Sequence, residues 1–203
     1  MALNKPQVFN DREGAPAGAK VIDAFSGALE ELFFIEHPNL KKAMPEAKAP
    51  LEDFLKTNGV KGVWIYYPWN NRLVHCLPED LYFKVRTARN RNLITEEEQH
   101  NYRNAKVGIA GLSVGSAVLS ALVMSGGPRV IKIADYDIIE ISNLNRIRAT
   151  LLDVGSNKAN VATREVWELD PFADVRTWAL GLNKRKLKSF ILGNPTLDVF
   201  IDE

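Results

Sequence analysis

Apolar residues repeat at helical spacing through Val21, Ile22, Phe25, Leu29, Leu32 and Phe33, which predicts a helix over residues 21–34 that His37-Pro38 closes. Ahead of it, residues 1–19 are polar and rich in Gly, Ala and Pro, and are expected to be loose. The stretch HPNLKKAMPEAKAP is a connector, and Leu51 to Lys56 can form a short helix. Val63–Tyr67 is β-branched and aromatic, and Leu73–Leu77 is apolar with loose alternation. The turn chemistry of Pro68-Trp69-Asn70-Asn71 between them makes a β-hairpin. A helix is expected from Pro78 to Arg89. Thr95, with Glu98 three residues on, opens another as a capping box.

Past Asn104 the rhythm changes. Short apolar runs at Lys106–Ala110, Val130–Ala134, Val175–Ala179 and Leu197–Ile201 read as strands. Helical patterns at about Ala117–Met124, Lys158–Leu169 and Lys184–Leu192 fall between them. Strands alternating with helices at this spacing predict an α/β fold with a parallel sheet and right-handed crossovers. Its ligand belongs at the carboxyl ends of the strands. The division expected is a small N-terminal α+β extension over residues 1–88 and the α/β domain over 89–203.

Composition narrows the function little. A formal net charge of +1 gives no global field for nucleic acid or a membrane surface, so neither partner is expected. Cys76 is the one cysteine, which excludes an intrachain disulfide and a thiolate zinc cluster. It is read as a buried structural thiol. The amino terminus shows no apolar signal core, and no run approaches the roughly 20 apolar residues that span a bilayer. A cytoplasmic setting is the expectation. His37, His75 and His100 lack metal-ligand spacing, and no metal ligand is assigned.

Four segments carry candidate chemistry. Gly111-Leu112-Ser113-Val114-Gly115-Ser116 follows a strand and opens a helix, the setting for a phosphate on a helix N-terminus. As a dinucleotide fingerprint it is broken, with Ser113 and Ser116 at glycine positions, and a plain tight turn reads equally well. Asp135-Tyr136-Asp137 ends the second strand, where an acid can accept from ribose hydroxyls whether the nucleotide is ATP or NAD. Ile141-Ser142-Asn143-Leu144-Asn145-Arg146 brings an asparagine and an arginine toward the same crevice. An arginine fork suits a polyphosphate. Val154-Gly155-Ser156-Asn157-Lys158 sets a lysine in a helix's first turn, against the dipole, where an anion between helix end and ammonium would offset the cost. Alone, Lys158 reads as an ordinary surface lysine.

Together these segments, in this order and spacing, resemble the ThiF/MoeB/HesA family, bacterial relatives of ubiquitin-activating enzymes. The resemblance covers about residues 89–203. It implies a Rossmann-like, mostly parallel sheet and ATP-dependent adenylation of a carboxylate: a ubiquitin-like sulfur carrier's C-terminus or a small molecule. By the same resemblance Gly111, Ser113 and Gly115 cradle phosphate, Asp135 with Asp137 holds the ribose end, and Asn143, Arg146 and Lys158 hold the triphosphate. Arg91 would reach into the neighbouring subunit's site, which implies a homodimer; alone it reads as part of a solvated basic segment. Magnesium would bridge the phosphates. Ser113, Val114 and Ser116 depart from the family's glycines.

The family's D-x-x-D begins at Asp202, so its second acid falls two positions past Glu203. The nucleotide site and the sheet are therefore expected to be incomplete. Little adenylation by this chain alone is expected, with association through a bare sheet edge. The wording GLSVGS, NLNRIRA and GSNK, with YYPWNNRLVH upstream, resembles a bacterial subgroup in which such a domain follows an N-terminal extension and precedes a nitroreductase-like domain. Two other functions stay open: a non-catalytic nucleotide-binding or interaction module, and a NAD- or FAD-dependent oxidoreductase, which the broken fingerprint disfavours.

Overall fold

The computed structural model describes residues 3–203, which fold into two compact units divided between Arg89 and Asn90.

The first unit holds strands β1 (Gln7–Phe9) and β2 (Lys20–Asp23), helices α1 (Phe25–Glu36) and α2 (Lys48–Thr57), the hairpin β3 (Val63–Tyr67) and β4 (Arg72–Cys76), and helix α3 (Glu79–Thr87). Its sheet runs β1-β3-β4-β2, antiparallel except that β2 lies parallel to β4. Two sequence expectations change here. Residues 7–9 pair with β3 rather than staying loose, and Val21 and Ile22 belong to a strand rather than to the helix. The helix starts at Phe25, where Asp23 accepts from the Phe25 amide at 3.0 Å and from the Ser26 hydroxyl at 3.1 Å. Leu29, Leu32 and Leu77 form the buried centre beneath α1, with Phe54, Leu81 and Val85 packed against them. Cys76 is buried, which pushes its thiol pKa up.

The second unit opens with α4 (Glu96–Asn104), capped as the sequence predicts: Thr95 Oγ1 accepts from the Glu98 amide at 3.2 Å, and Glu98 Oε2 accepts from the Thr95 amide at 2.7 Å. Thr95→Ala should cost about 1 kcal/mol, the usual loss for an N-cap, readable in urea denaturation. A midpoint that does not move would mean the cap adds nothing.

Then follow β5 (Lys106–Ala110), α5 (Gly115–Met124), β6 (Val130–Ala134), α6 (Lys158–Leu169), β7 (Asp174–Trp178), α7 (Lys184–Leu192) and β8 (Val199–Asp202). The sheet is wholly parallel in the order β7-β6-β5-β8. Side chains alternate across it. Val107, Ile109, Ile131 and Ile133 join Leu119 and Val123 of α5 and Ala159, Ala162 and Val166 of α6 in one core. On the other face α7 closes down. A Cβ on Gly108 would run into Leu197 and Phe190, and buried Lys132 donates to the Phe190 and Gly193 carbonyls at 2.6 and 3.0 Å. Helices on both faces are the usual cover for a parallel sheet.

One long connection, from Asp135 to Asn157, joins β6 to α6. It contains single 3-10 turns at Ile141–Asn143 and Leu151–Asp153 that the residue pattern did not suggest. Ile139 and Ile147, buried against Val161 of α6, pin it to the domain.

Candidate functional site

A cavity of about 510 Å³ opens at the carboxyl ends of β5, β6 and β8. Its walls include Gly111, Leu112 and Ser113 after β5, Asp135, Tyr136 and Asp137 after β6, Lys158 at the start of α6, residues 181–184 after β7, and Phe200, Asp202 and Glu203 of the last strand. Where a parallel sheet's strands end, the following helices begin, so free backbone N–H groups converge there.

The Gly-rich turn owes its shape to two contacts. Gly111 has φ +88°, and any Cβ on it would strike the Glu203 carbonyl. Gly115 lies so close to the sheet that a Cβ would sit 3.0 Å from Ile109 Cγ2. Ser116, at a family glycine position, is buried and donates its hydroxyl to the Ser113 carbonyl at 3.1 Å, which fits the larger residue into the turn.

Asp135, 8% exposed, braces the turn: Oδ2 accepts from the Leu112 amide and Oδ1 from the Asp137 amide, both at 2.8 Å. Asn157 caps α6 by accepting from the Asn160 amide, while its side-chain amide donates to the carbonyls of Asp135, Asp137 and Ala179, each at 3.1 Å. It thereby ties two strand ends to one helix start. Lys158, only 8% exposed, points its ammonium at Asp137 Oδ2, 2.9 Å away. The anion that offsets a cation in the first turn is thus Asp137.

Arg146 Nε reaches Ser113 Oγ at 3.3 Å, with Nη1 held by the Ser142 carbonyl at 3.1 Å and Asn145 Oδ1 at 2.9 Å. The sequence candidates Gly111, Ser113, Asp135, Asp137 and Lys158 therefore meet on the cavity wall, with Arg146 joined to it through Ser113. Asn143 is buried and is not among the lining residues, its side-chain oxygen accepting from the Glu140 amide at 3.0 Å. Arg91 is exposed ahead of α4 and is not among the lining residues.

The residue that sequence reasoning missed is Glu203. Its Oε2 accepts from the amides of Ser113 and Gly115, both at 3.1 Å, inside the Gly-rich turn. The Val114 amide above all, then those of Gly115 and Ser113, hold its pKa below the usual carboxylate range against the effect of burial, and the Lys158 charge adds to this. These amides form an anion nest, and a carboxylate fills it. The signal in the sequence was an acid one residue past the strand, but only the pairing of β8 with β5 brings it to the turn.

Helices on both faces of a parallel sheet, with a lined cavity where the strands end, define a Rossmann-like α/β domain. The chain belongs to the ThiF family, whose match covers residues 87–202. It is 41% identical over 140 residues to an uncharacterized protein of Mycobacterium tuberculosis, covering 69% of this chain and 19% of that one. Over 113 residues it is 34% identical to tRNA threonylcarbamoyladenosine dehydratase 2 of Saccharomyces cerevisiae, covering 53% and 24%. Over 71 residues it is 44% identical to a probable molybdopterin-synthase adenylyltransferase of Porphyra purpurea, covering 34% and 18%. The chain thus spans less than a quarter of the length of these relatives. Among solved structures it shares its fold with the E. coli tRNA N6-threonylcarbamoyladenosine dehydratase TcdA at a TM-score of 0.54 and 22% identity, over 59% of this chain and 49% of that one. TcdA has been crystallised with AMP and with ATP. No helix among the described residues is long and apolar enough to cross a membrane.

Proposed function

We propose that residues 89–203 bind ATP in the cavity at the strand ends and serve the adenylation of a carboxylate, with residues 1–88 a separate extension. In that reaction a carboxylate oxygen attacks the α-phosphorus, the bond to the bridging oxygen breaks, and pyrophosphate leaves with its electron pair. The substrate is a ubiquitin-like protein's C-terminus or a small carboxylate. One observation carries the reading: an amide nest that already holds an anion lies beside Lys158 and Arg146. Phosphate oxygens would replace the Glu203 carboxylate there, Lys158 and Arg146 would bind the chain of phosphates, Asn143 would back them, and the spare lone pairs of Asp135 would take the ribose hydroxyls. Such fixed donors stabilise charge as it develops, with no reorganisation at the moment of reaction. Arg91 would complete a partner's site in a homodimer, and the setting would be cytoplasmic. Magnesium would be held chiefly by phosphate oxygens with one or two carboxylates, so the lack, among the described residues, of a group of three or more His, Cys, Asp or Glu side chains that could hold a metal ion does not count against it.

Calorimetric titration with ATP and NAD tests the nucleotide. ATP should bind more tightly, and Arg146→Ala should weaken it; tighter NAD binding sinks the reading. Glu203→Gln tests the nest. Exchanging a charged acceptor for a neutral one should ease displacement, tightening tripolyphosphate binding about fivefold, the gap between charged and neutral hydrogen bonds. Unchanged affinity would place the phosphates elsewhere.

A further inference from the structure

Outside the cavity, one carboxylate is held in a place that disfavours its charge. Glu165 lies about two turns beyond Lys158 along α6, with its side chain 20% exposed. Its Oε1 alone receives two groups: the Ser120 hydroxyl of α5 at 2.6 Å and Arg148 Nε at 3.1 Å. Arg148 also rests an Nη1 on Met124 Sδ at 3.5 Å. Burial pushes the Glu165 pKa up, and neighbouring Glu168 adds to that, while Ser120 and Arg148 oppose it.

The three elements meeting at this oxygen are the three that would hold phosphate. Helix α5 grows out of the Gly-rich turn, α6 begins with Lys158, and Arg148 sits two residues past Arg146 in the long connection. Ile147 between them is buried against Val161 of α6, so the backbone is pinned there and Arg148 supplies the second anchor. An ordinary structural ion pair is the plainer explanation, but Arg148 is 53% exposed, and pairs of that kind add little to stability. Stability alone gives poor reason to keep a desolvated acid at this junction.

We infer that Glu165 is a positioning residue that, through Ser120 and Arg148, locks the Gly-rich turn, the Lys158 helix and the Asn143–Arg146 segment into one phosphate-binding geometry. The inference rests on the nucleotide reading above, and it adds a determinant that touches no ligand.

The test uses the full chain with Glu165→Gln, Arg148→Ala, their double variant and Arg148→Lys. ATP affinity is read by calorimetry, and amide hydrogen exchange is followed over residues 143–149. Each single substitution should weaken ATP roughly fivefold and speed exchange in 143–149 while the β5 amides stay protected. The double variant should be no worse than either single, as coupled residues behave, and Arg148→Lys should recover part of the affinity. Losses that add in the double variant, exchange that rises throughout the domain, or no change in either measurement would overturn the inference. If the parent chain binds no ATP yet exchange over 143–149 still quickens in both single variants, the lock stands and the nucleotide reading falls.

Discussion

Arg103→Ala should destabilise the second unit by about 3–5 kcal/mol, the loss expected when one member of a buried ion pair is removed and its partner stays behind. Arg103 Nη1 lies 2.9 Å from Asp170 Oδ2, with the side chains only 9% and 3% exposed. The pair fastens the end of α4 to the end of α6, where Asp170 also accepts from the Phe172 amide at 3.2 Å through its other oxygen. Truncating the arginine takes a charged donor away from a carboxylate whose side chain is only 3% exposed. Arg103→Met with Asp170→Leu removes both charges, and should recover much of the loss because the desolvation cost of the pair goes with it. Urea denaturation at constant m-value reads the difference. A loss under about 1 kcal/mol for the single variant would mean that the carboxylate finds water or another donor.

The second large effect is on ligand, not on fold. Lys158→Ala should weaken ATP by about 1.5–3 kcal/mol, the worth of a charge-assisted hydrogen bond, or roughly 10- to 150-fold in affinity. The fold should tolerate the change. The lysine's partner Asp137 has a side chain 51% exposed, so water can take over the carboxylate, and stability should move by less than about 1 kcal/mol. Calorimetry beside a thermal melt separates the two. If ATP binding survives while the protein loses stability, Lys158 serves only its pair with Asp137, and the phosphates lie elsewhere.

Much of this was legible in the residues because the signals were local. The Thr95–Glu98 capping box, the β-branched and aromatic run at Val63–Tyr67, and the turn chemistry of Pro68-Trp69-Asn70-Asn71 each act within a few residues. The parallel sheet follows from strands and helices taking turns, and the motif order pointed to the family. What was not legible depends on distant pairing. Lys20–Asp23 has exposed residues throughout, and Val21, Ile22 and Phe25 fit a helical stripe as well as the end of a strand, so only pairing with β4 decides. The turns at Ile141–Asn143 and Leu151–Asp153 belong to a segment that Ile139 and Ile147 anchor on a helix formed later in the chain. Glu203 sits 90 and 88 residues from the Ser113 and Gly115 amides it accepts from. Nothing near it in sequence announces the nest.

Asn157 is constrained more tightly than its place at a helix start requires. Aspartate caps a helix as well as asparagine does, so the capping rule alone would treat the two as interchangeable here. The side-chain amide, however, faces three carbonyl oxygens, of Asp135, Asp137 and Ala179. An aspartate of the same shape would still cap α6 but would turn a negative oxygen toward all three. Hydrolysis of that one amide by chemical ageing, a change of a single atom class with no change of volume, would therefore loosen the joint between strand ends and helix while leaving the rest of the domain intact.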